Sequence, residues 1–198
     1  MEVSCGQDFL FAGSQPTLAR LCLALGAMPI TARVIGDGLV TTAGTGIAMA
    51  VQAGAPKPDI GTIDALKRTL LAAKSIAYSD SDSGVYLSTE LFPRLGIADQ
   101  MKGKSRKVQA EPVGGVVARG EVEMGFQQLS ELLPLPGIEI AGELPPGSQR
   151  ITSSATGIPV TAKHPEAAKA LIRWLASPAA YAAIKKSGLQ PAASAERR

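Results

Sequence analysis

Ser75-Ile76-Ala77-Tyr78-Ser79-Asp80-Ser81-Asp82-Ser83-Gly84-Val85-Tyr86 is the stretch whose reading decides the fold. Ile76 to Tyr78 predict a short buried strand. A loop of Ser and Asp follows, then a helix whose Leu87, Leu91 and Leu95 recur every four positions. Asp82 or Ser83 is the expected N-cap. A strand, loop and helix in this order deliver hydroxyls and a helix start to one place, and unpaired N–H groups there suit an anion. In open α/β sheets, ligands collect at the carboxyl ends of strands, where this loop falls. The competing reading is an ordinary connection that caps its own helix and binds nothing.

Beyond the central helix, Gly96 ends the run. Lys102, Lys104, Arg106 and Lys107 cluster without aromatics, which reads as a solvated helix end and edge strand. Val108 to Glu111 continue as strand. Gly114 and Gly115 open a short helix with Val116 and Val117, closed by Gly120; this second helix start is another candidate anion contact. Glu123 to Gln128 predict a strand ending in two carboxamides. Gln127 and Gln128 each donate and accept, which fits a carboxylate or hydroxyl, the alternative being satisfaction by backbone. Ile138-Glu139-Ile140 alternates like a half-exposed strand. Leu144-Pro145-Pro146-Gly147 signals a linker. Ile151 to Val160 predict a strand that Pro159 confines to an edge or bulge. Pro165 starts an amphipathic helix with Ala168, Leu171, Ile172 and Leu175 on one face, and Ser177-Pro178 starts another, ended by Gly188. His164, just before the first of these, reads as a cap or surface residue.

Towards the N-terminus, Thr62 caps a helix carrying Ile63, Leu66 and Leu70. Ala53-Gly54-Ala55-Pro56-Lys57-Pro58 is linker chemistry, and Gly46 to Val51 predict a second buried strand. Residues 27 to 46 read as a glycine-rich loop without a dinucleotide fingerprint or Walker lysine. Pro16 opens a helix with Leu18, Leu21, Cys22 and Leu25, stopped by Gly26, and Phe9 to Ala12 read as a strand before it.

The chain has 198 residues, enough to bury a real core, and its 45% hydrophobic content is that of a globular protein. The alternation of strand and helix gives an α/β fold with a largely parallel sheet. The two linkers cut it into an outer part, residues 1–52 with 149–198, and an inserted part, residues 53–148. A cleft between such lobes is a common ligand site. The net charge of +3 with 4% aromatics argues against nucleic acid and permits weak attraction of small anions. Cys5 and Cys22 form no zinc spacing, and the single histidine, His164, argues against a histidine metal site. No cofactor is expected. No apolar run reaches membrane-span length, and Met1 to Cys5 lack the basic start of a secretory signal, so the sequence as written reads as cytoplasmic.

Three segments carry a family resemblance. Ala53-Gly54-Ala55-Pro56-Lys57-Pro58-Asp59-Ile60 leading to Lys74-Ser75-Ile76-Ala77-Tyr78-Ser79, Arg119 to Leu132, and Glu166 to Pro178 resemble bacterial extracellular solute-binding proteins of the molybdate-binding type. The resemblance runs from about Asp8 to Pro191. It implies a type II periplasmic-binding fold with two α/β lobes, mixed mostly parallel sheets and a hinge, a periplasmic location, and service to the membrane subunit of an ABC importer. By the same resemblance, the family's first strand–helix–strand–helix portion has no counterpart here, so the first lobe is expected to be incomplete. Molybdate binders carry a tyrosine where Gln128 stands, which favours a different anion, a di- or tricarboxylate. One type with this shape resembles an aconitate isomerase.

The expectation is therefore a binding protein for a small anion, molybdate or an organic acid. Ser81, Ser83 and the amides of Gly84 and Val85 would grip it beside Tyr86. Gly114 and Gly115 would add backbone donors, and Gln127 and Gln128 would orient it. An isomerase moving a proton next to a carboxylate is the enzymatic alternative, with Asp80, Asp82, Glu90 or Tyr86 as candidate bases. A third reading is a remnant that binds nothing and associates with its own copies through the incomplete lobe.

Overall fold

A computed structural model describes residues 2–4, 31–33 and 40–192. The strand expected at Phe9 to Ala12, the helix from Pro16, Cys5 and Cys22 lie outside the described residues. The chain divides into two compact units, Met1–Gly44 with Ser153–Arg198, and Thr45–Thr152. The divisions fall at 44/45 and 152/153, inside strands, and the two Pro/Gly stretches at 53–58 and 144–147 both lie within the second unit.

The second unit is a mixed sheet covered by helices on both faces. Its strands are β3 (Val40–Gln52), β4 (Ile76–Ser79), β5 (Ser105–Val108), β6 (Met124–Gln128) and β7 (Ile138–Glu143), in the order β5-β4-β6-β3-β7. β4 pairs parallel with β5 and β6, and β3 pairs antiparallel with β6 and β7. The sheet is thus less parallel than the strand–helix alternation suggested, because β3 enters it in the reverse direction.

Side-chain alternation sorts the strands into two buried layers. Ile47, Met49, Val51, Ile76, Met124 and Phe126 face one core with Leu66, Leu70, Leu87, Leu91 and Met101 from the helices. Ala77 faces the opposite core with Val108, Val113, Val116 and Val117. Ala48 and Ala50 meet Leu132 on that side of the sheet. Gly125 sits where a Cβ would lie 2.6 Å from methyls of Val113 and Val117, so its lack of a side chain lets the helix lie close on the sheet.

The helices form as the sequence dictates, with exceptions. Helix α1 (Ile63–Ala72) is capped by the Thr62 hydroxyl, which accepts from the Ala65 amide at 3.1 Å. Its Leu66 and Leu70 are buried, whereas Ile63, expected on the same face, is exposed. Helix α2 (Asp82–Tyr86) continues through a π-helical stretch, Leu87–Leu91, into α3 (Phe92–Arg94). Pro93 explains the widened turn. It has no N–H and its ring crowds the carbonyl four residues back, and Phe92 N reaches five residues back to the Leu87 carbonyl. Ser88 and Thr89 donate to the Gly84 and Val85 carbonyls at 2.8 Å each. Leu87, Leu91 and Leu95 are all buried, as the spacing predicts. Helices α4 (Ala98–Lys102), α5 (Val113–Ala118) and α6 (Leu129–Leu132) complete the unit.

Three boundaries differ from the sequence reading. Residues 40–46, read as loop, are the first half of β3. Gly46 misled that reading: a Cβ there would lie 2.8 Å from both the Gln149 and Glu143 side chains, so the glycine marks close packing and not a break. The edge strand expected across the basic cluster is Ser105–Val108, but it does not continue through Glu111, because Ala110, with φ 63°, turns the chain just beyond it. Strand β8 (Ile151–Thr156) stops short of Val160.

In the first unit, β1 (Glu2–Ser4) and β2 (Thr31–Arg33) form an antiparallel ladder. Strand β8 pairs with β3, where the Thr42 hydroxyl donates to the Ser154 carbonyl at 3.3 Å. Strand β9 (Gln190–Pro191) pairs with Ala43 and Gly44. Ala43 packs on Ala180 and Ile184. Helix α7 (Pro165–Leu175) begins after His164, whose side chain makes no cap bond, and α8 (Tyr181–Lys186) follows a 3-10 turn at Pro178–Ala180. The expected apolar face of α7 is half-buried at Ala168, Ile172 and Leu175 and exposed at Leu171.

Candidate functional site

The carboxyl ends of the parallel strands β4 and β6 lie side by side, and polar side chains gather there. Ser79, the last residue of β4, is 4% exposed. Its hydroxyl lies 2.8 Å from that of Ser81 and 3.0 Å from that of Ser83; Ser81 and Ser83 are 3.4 Å apart. Ser83, 1% exposed, donates to the Gln128 side-chain oxygen at 3.1 Å. Gln128 ends β6 and is 6% exposed.

The local sequence explains this convergence. Serines at 79, 81 and 83 straddle the turn from strand to helix, so alternate residues point to one spot. Asp80 N extends the β4–β5 pairing to the Val108 carbonyl at 3.1 Å, which fixes the turn. Ser81 is the helix N-cap, one residue earlier than expected. Its hydroxyl makes no cap bond and is turned to the other serines, so no side chain caps α2. Gly84 lets the first turn sit against the strand end: a Cβ there would lie 1.7 Å from the Ser79 carbonyl oxygen.

The structure brings Ser81, Ser83 and Gln128 together, with Gly84 packed against the strand end beside them, and it sends Val85, Tyr86, Gln127, Gly114 and Gly115 elsewhere. Val85 is exposed, and its amide donates to the Ser81 carbonyl at 3.0 Å, so that amide is committed. Tyr86 is buried, and its phenol donates to the Ser148 carbonyl at 2.8 Å. Gln127 lies on the opposite face of β6 from Gln128, as strand alternation requires. Its carbonyl oxygen accepts from Val113 N at 2.9 Å and thereby caps α5. A Cβ on Gly114 would meet Leu135 and Ile138 at 2.6 and 2.9 Å, so that glycine serves packing. Gly115 N donates to the Pro112 carbonyl at 3.0 Å. The second helix start is therefore closed by its own surroundings.

Sequence reasoning missed several contributors. Ser79 stood inside the decisive stretch, and the repeat of serine at every second position was the signal for it. The segment 147–152 had no such signal. It lies along α2 and α3: Arg94 donates to the Gly147 carbonyl at 2.8 Å and to the Tyr86 phenol oxygen at 3.2 Å. Arg150 sits 5.3 Å from the Tyr86 ring centroid and pairs with Glu90 at 2.6 Å, and Thr152 donates to Asp82 at 3.1 Å. The hydrogen bond to Glu90 and the charges of Glu90 and Asp82 hold the Arg150 guanidinium further in its ionised form. Thr45 joins the same sheet edge, accepting from Ser130 N at 3.4 Å.

The basic residues have local duties. Lys104 donates to the Leu71 and Ala73 carbonyls, Lys102 pairs with Asp99, and Arg106 pairs with Glu121. Among the described residues, no three His, Cys, Asp or Glu side chains are grouped to hold a metal ion. Among them, too, no helix is long and apolar enough to cross a membrane.

Comparison with known proteins gives the family. Residues 23–190 match the family described as bacterial extracellular solute-binding protein. This chain belongs to that family. The solute-binding protein is 51% identical over 168 residues to an aconitate isomerase from Pseudomonas sp, across 85% of this chain and 64% of that one. It thus spans less than two thirds of that relative's length. In fold it is similar to the substrate-binding domain of a putative molybdenum ABC transporter from Clostridium difficile. The TM-score is 0.64 at 17% identity, over 80% of this chain and 68% of that one. It is also similar to the periplasmic molybdate-binding protein of Azotobacter vinelandii, with a TM-score of 0.58 at 19% identity, over 79% and 69% of the two chains.

Proposed function

We propose that this solute-binding protein binds a small organic polycarboxylate of the aconitate class, with one carboxylate against Ser81 and Gln128. The observation that carries the proposal is the Ser79–Ser81–Ser83–Gln128 cluster: neutral donors converging at strand ends, with no carboxylate of their own among the bonded groups. Neutral hydroxyl and amide donors bind an anion by hydrogen bonds that strengthen when the acceptor is charged. The 51% identity with an aconitate isomerase favours a carboxylate over molybdate. A periplasmic location and delivery to an ABC importer belong to the same reading. Calorimetry against aconitate, citrate, molybdate and sulfate tests it. Heat with aconitate or citrate is expected; no heat with either polycarboxylate refutes it.

The same identity supports a second reading, in which the protein also moves a proton. Shifting the double bond of aconitate requires a base that removes a proton beside one carboxylate and returns it one bond along. Of the candidate bases, Tyr86 is committed to Ser148 and Glu90 to Arg150. Asp82 accepts from Thr152, and the Asp80 carboxylate is exposed beside Ser79 and Ser81 in sequence, so these two aspartates are the candidates the reading keeps. Incubation with aconitate in deuterated water, followed by NMR, checks this: deuterium at carbon is expected, and none at saturating aconitate refutes the enzymatic reading alone.

A further inference from the structure

We infer that Arg150 contacts the ligand, its guanidinium keeping Glu90 on one edge and offering the other to a second carboxylate of an anion held at Ser81 and Gln128. The inference rests on the binding reading above and adds the positive charge that the cluster of hydroxyls and carboxamide lacks.

Ser79, Ser81, Ser83 and Gln128 are neutral, and the charged residues of the same stretch, Asp80 and Asp82, carry the ligand's own sign. A polycarboxylate there gains hydrogen bonds but meets like charge, so a cation close by is needed to balance it. Arg150 is placed to do so. Its guanidinium lies 5.3 Å from the Tyr86 ring centroid and donates to Glu90 at 2.6 Å. Thr152, two residues on, donates to Asp82 at 3.1 Å. The segment therefore runs back along α2 towards its first turn, with Arg150 level with Tyr86. Tyr86 is five residues past Ser81, roughly 7 Å along the helix. A short polycarboxylate and a long arginine side chain close that span between them.

The guanidinium has donors to spare. It carries five N–H groups in a planar fork, and the bond to Glu90 uses one of them. A carboxylate meets such a fork through two parallel N–H bonds. Arg94, the other arginine beside Tyr86, is instead held by the Gly147 carbonyl and the Tyr86 phenol oxygen. The Arg150 and Glu90 side chains are 43% and 57% exposed, so the pair is open to an approaching ligand. Glu90 itself opposes that ligand, because its charge has the same sign.

A double-mutant cycle tests this, with aconitate as the probe and calorimetry as the readout. Arg150→Gln weakens aconitate binding about 10-fold or more, the loss expected for hydrogen bonds to a charged group. Glu90→Gln removes the opposing charge, leaves the guanidinium in place and tightens binding by up to about 5-fold. An ion pair with a purely structural role would instead make both variants lose affinity together. The double variant has no Glu90 charge left unpaired, yet it still binds about 10-fold more weakly than the unsubstituted protein, because the contact itself is gone. Circular dichroism checks folding, and Arg150→Lys, which keeps the charge without the fork, replaces Arg150→Gln if that variant does not fold. A Glu90→Gln protein that binds aconitate more weakly than the unsubstituted one, or a double variant that binds it as well, overturns the inference while the binding reading stands. Absence of aconitate binding by the unsubstituted protein overturns both.

Discussion

Replacing Gly84 with alanine sets two effects of opposite sign against each other. Gly84 is the third residue of α2, and by intrinsic propensity alone an alanine in a helix stabilises by about 1 kcal/mol. Here the added Cβ would lie 1.7 Å from the Ser79 carbonyl oxygen, 2.8 Å from the Ser79 carbonyl carbon and 2.9 Å from Tyr78 Cδ2. Ordinary contact needs roughly 3.5 Å, so α2 and the end of β4 must separate by something near 2 Å. The obstacle is backbone on both sides, held by the β4 ladder to β5 and β6, and no rotamer change relieves it. Overpacking of this kind costs about 1–3 kcal/mol and at times more.

A 1.7 Å approach to backbone puts the clash at the upper end of that range, about 3 kcal/mol, so it outweighs the propensity gain and a net loss of about 2 kcal/mol is expected. At about 2–4 °C per kcal/mol for a chain of this size, the melting temperature falls by roughly 4–8 °C. Moving the helix also pulls Ser81 and Ser83 away from Ser79 and Gln128, so aconitate binding weakens along with stability. Thermal denaturation followed by circular dichroism, with calorimetry on the same samples, measures both. A Gly84→Ala protein that melts at or above the temperature of the unsubstituted protein would refute the close-approach argument, since only the propensity effect would then be at work.

Two further outcomes follow from the hydrogen bonds and ion pairs. Tyr86→Phe strips the donor from the buried Ser148 carbonyl and the acceptor from Arg94, and is expected to lower stability by about 1–3 kcal/mol while leaving aconitate affinity within about twofold; a selective loss of affinity at unchanged stability would return the phenol to the ligand site. Glu121 is held below the ordinary carboxylate range by hydrogen bonds from Arg119 and Arg106, so its contribution to stability is present above the unfolded pKa of about 4.5 and is lost as pH falls through the lower folded value. The melting-temperature gap between the unsubstituted protein and Arg119→Ala is therefore expected to close on acidification from pH 7 into that range, and a gap that widens there would contradict the pairing.

Much of the second unit was legible because its elements obey simple periods. Leu87, Leu91 and Leu95, or Leu66 and Leu70, are buried where a four-residue spacing puts them. Thr62 caps the helix it precedes. What periodicity does not carry is the reason a glycine is present. Gly46, Gly84, Gly114 and Gly125 each lack a Cβ because another chain segment occupies that space, and three of those partners are remote in sequence. Read locally, Gly46 looked like loop and Gly114 like a donor beside an anion. In the fold both are packing positions. The direction of β3 was equally hidden, since a strand's own residues do not say whether its neighbours run with it or against it.

The site shows the same limit in sharper form. The sequence names hydroxyls and amides, and counting them suggested a ring of donors around an anion. A donor is available to a ligand only if its proton is not already given away, and that depends on partners brought from 14 to 85 residues off in the chain. Gln127 and Gln128 differ by one position and by one strand face. That single alternation sends the first to cap α5 and the second to meet Ser83. If the ligand were held by the whole set first read from the chain, Gln127→Ala and Gln128→Ala would weaken aconitate binding alike. Because Gln127 is tied to Val113 N on the other face, Gln127→Ala is expected to cost stability through the lost cap and to spare affinity, whereas Gln128→Ala does the reverse. Equal losses of affinity in the two variants, measured by calorimetry, would mean that the strand face does not decide which amide the ligand meets.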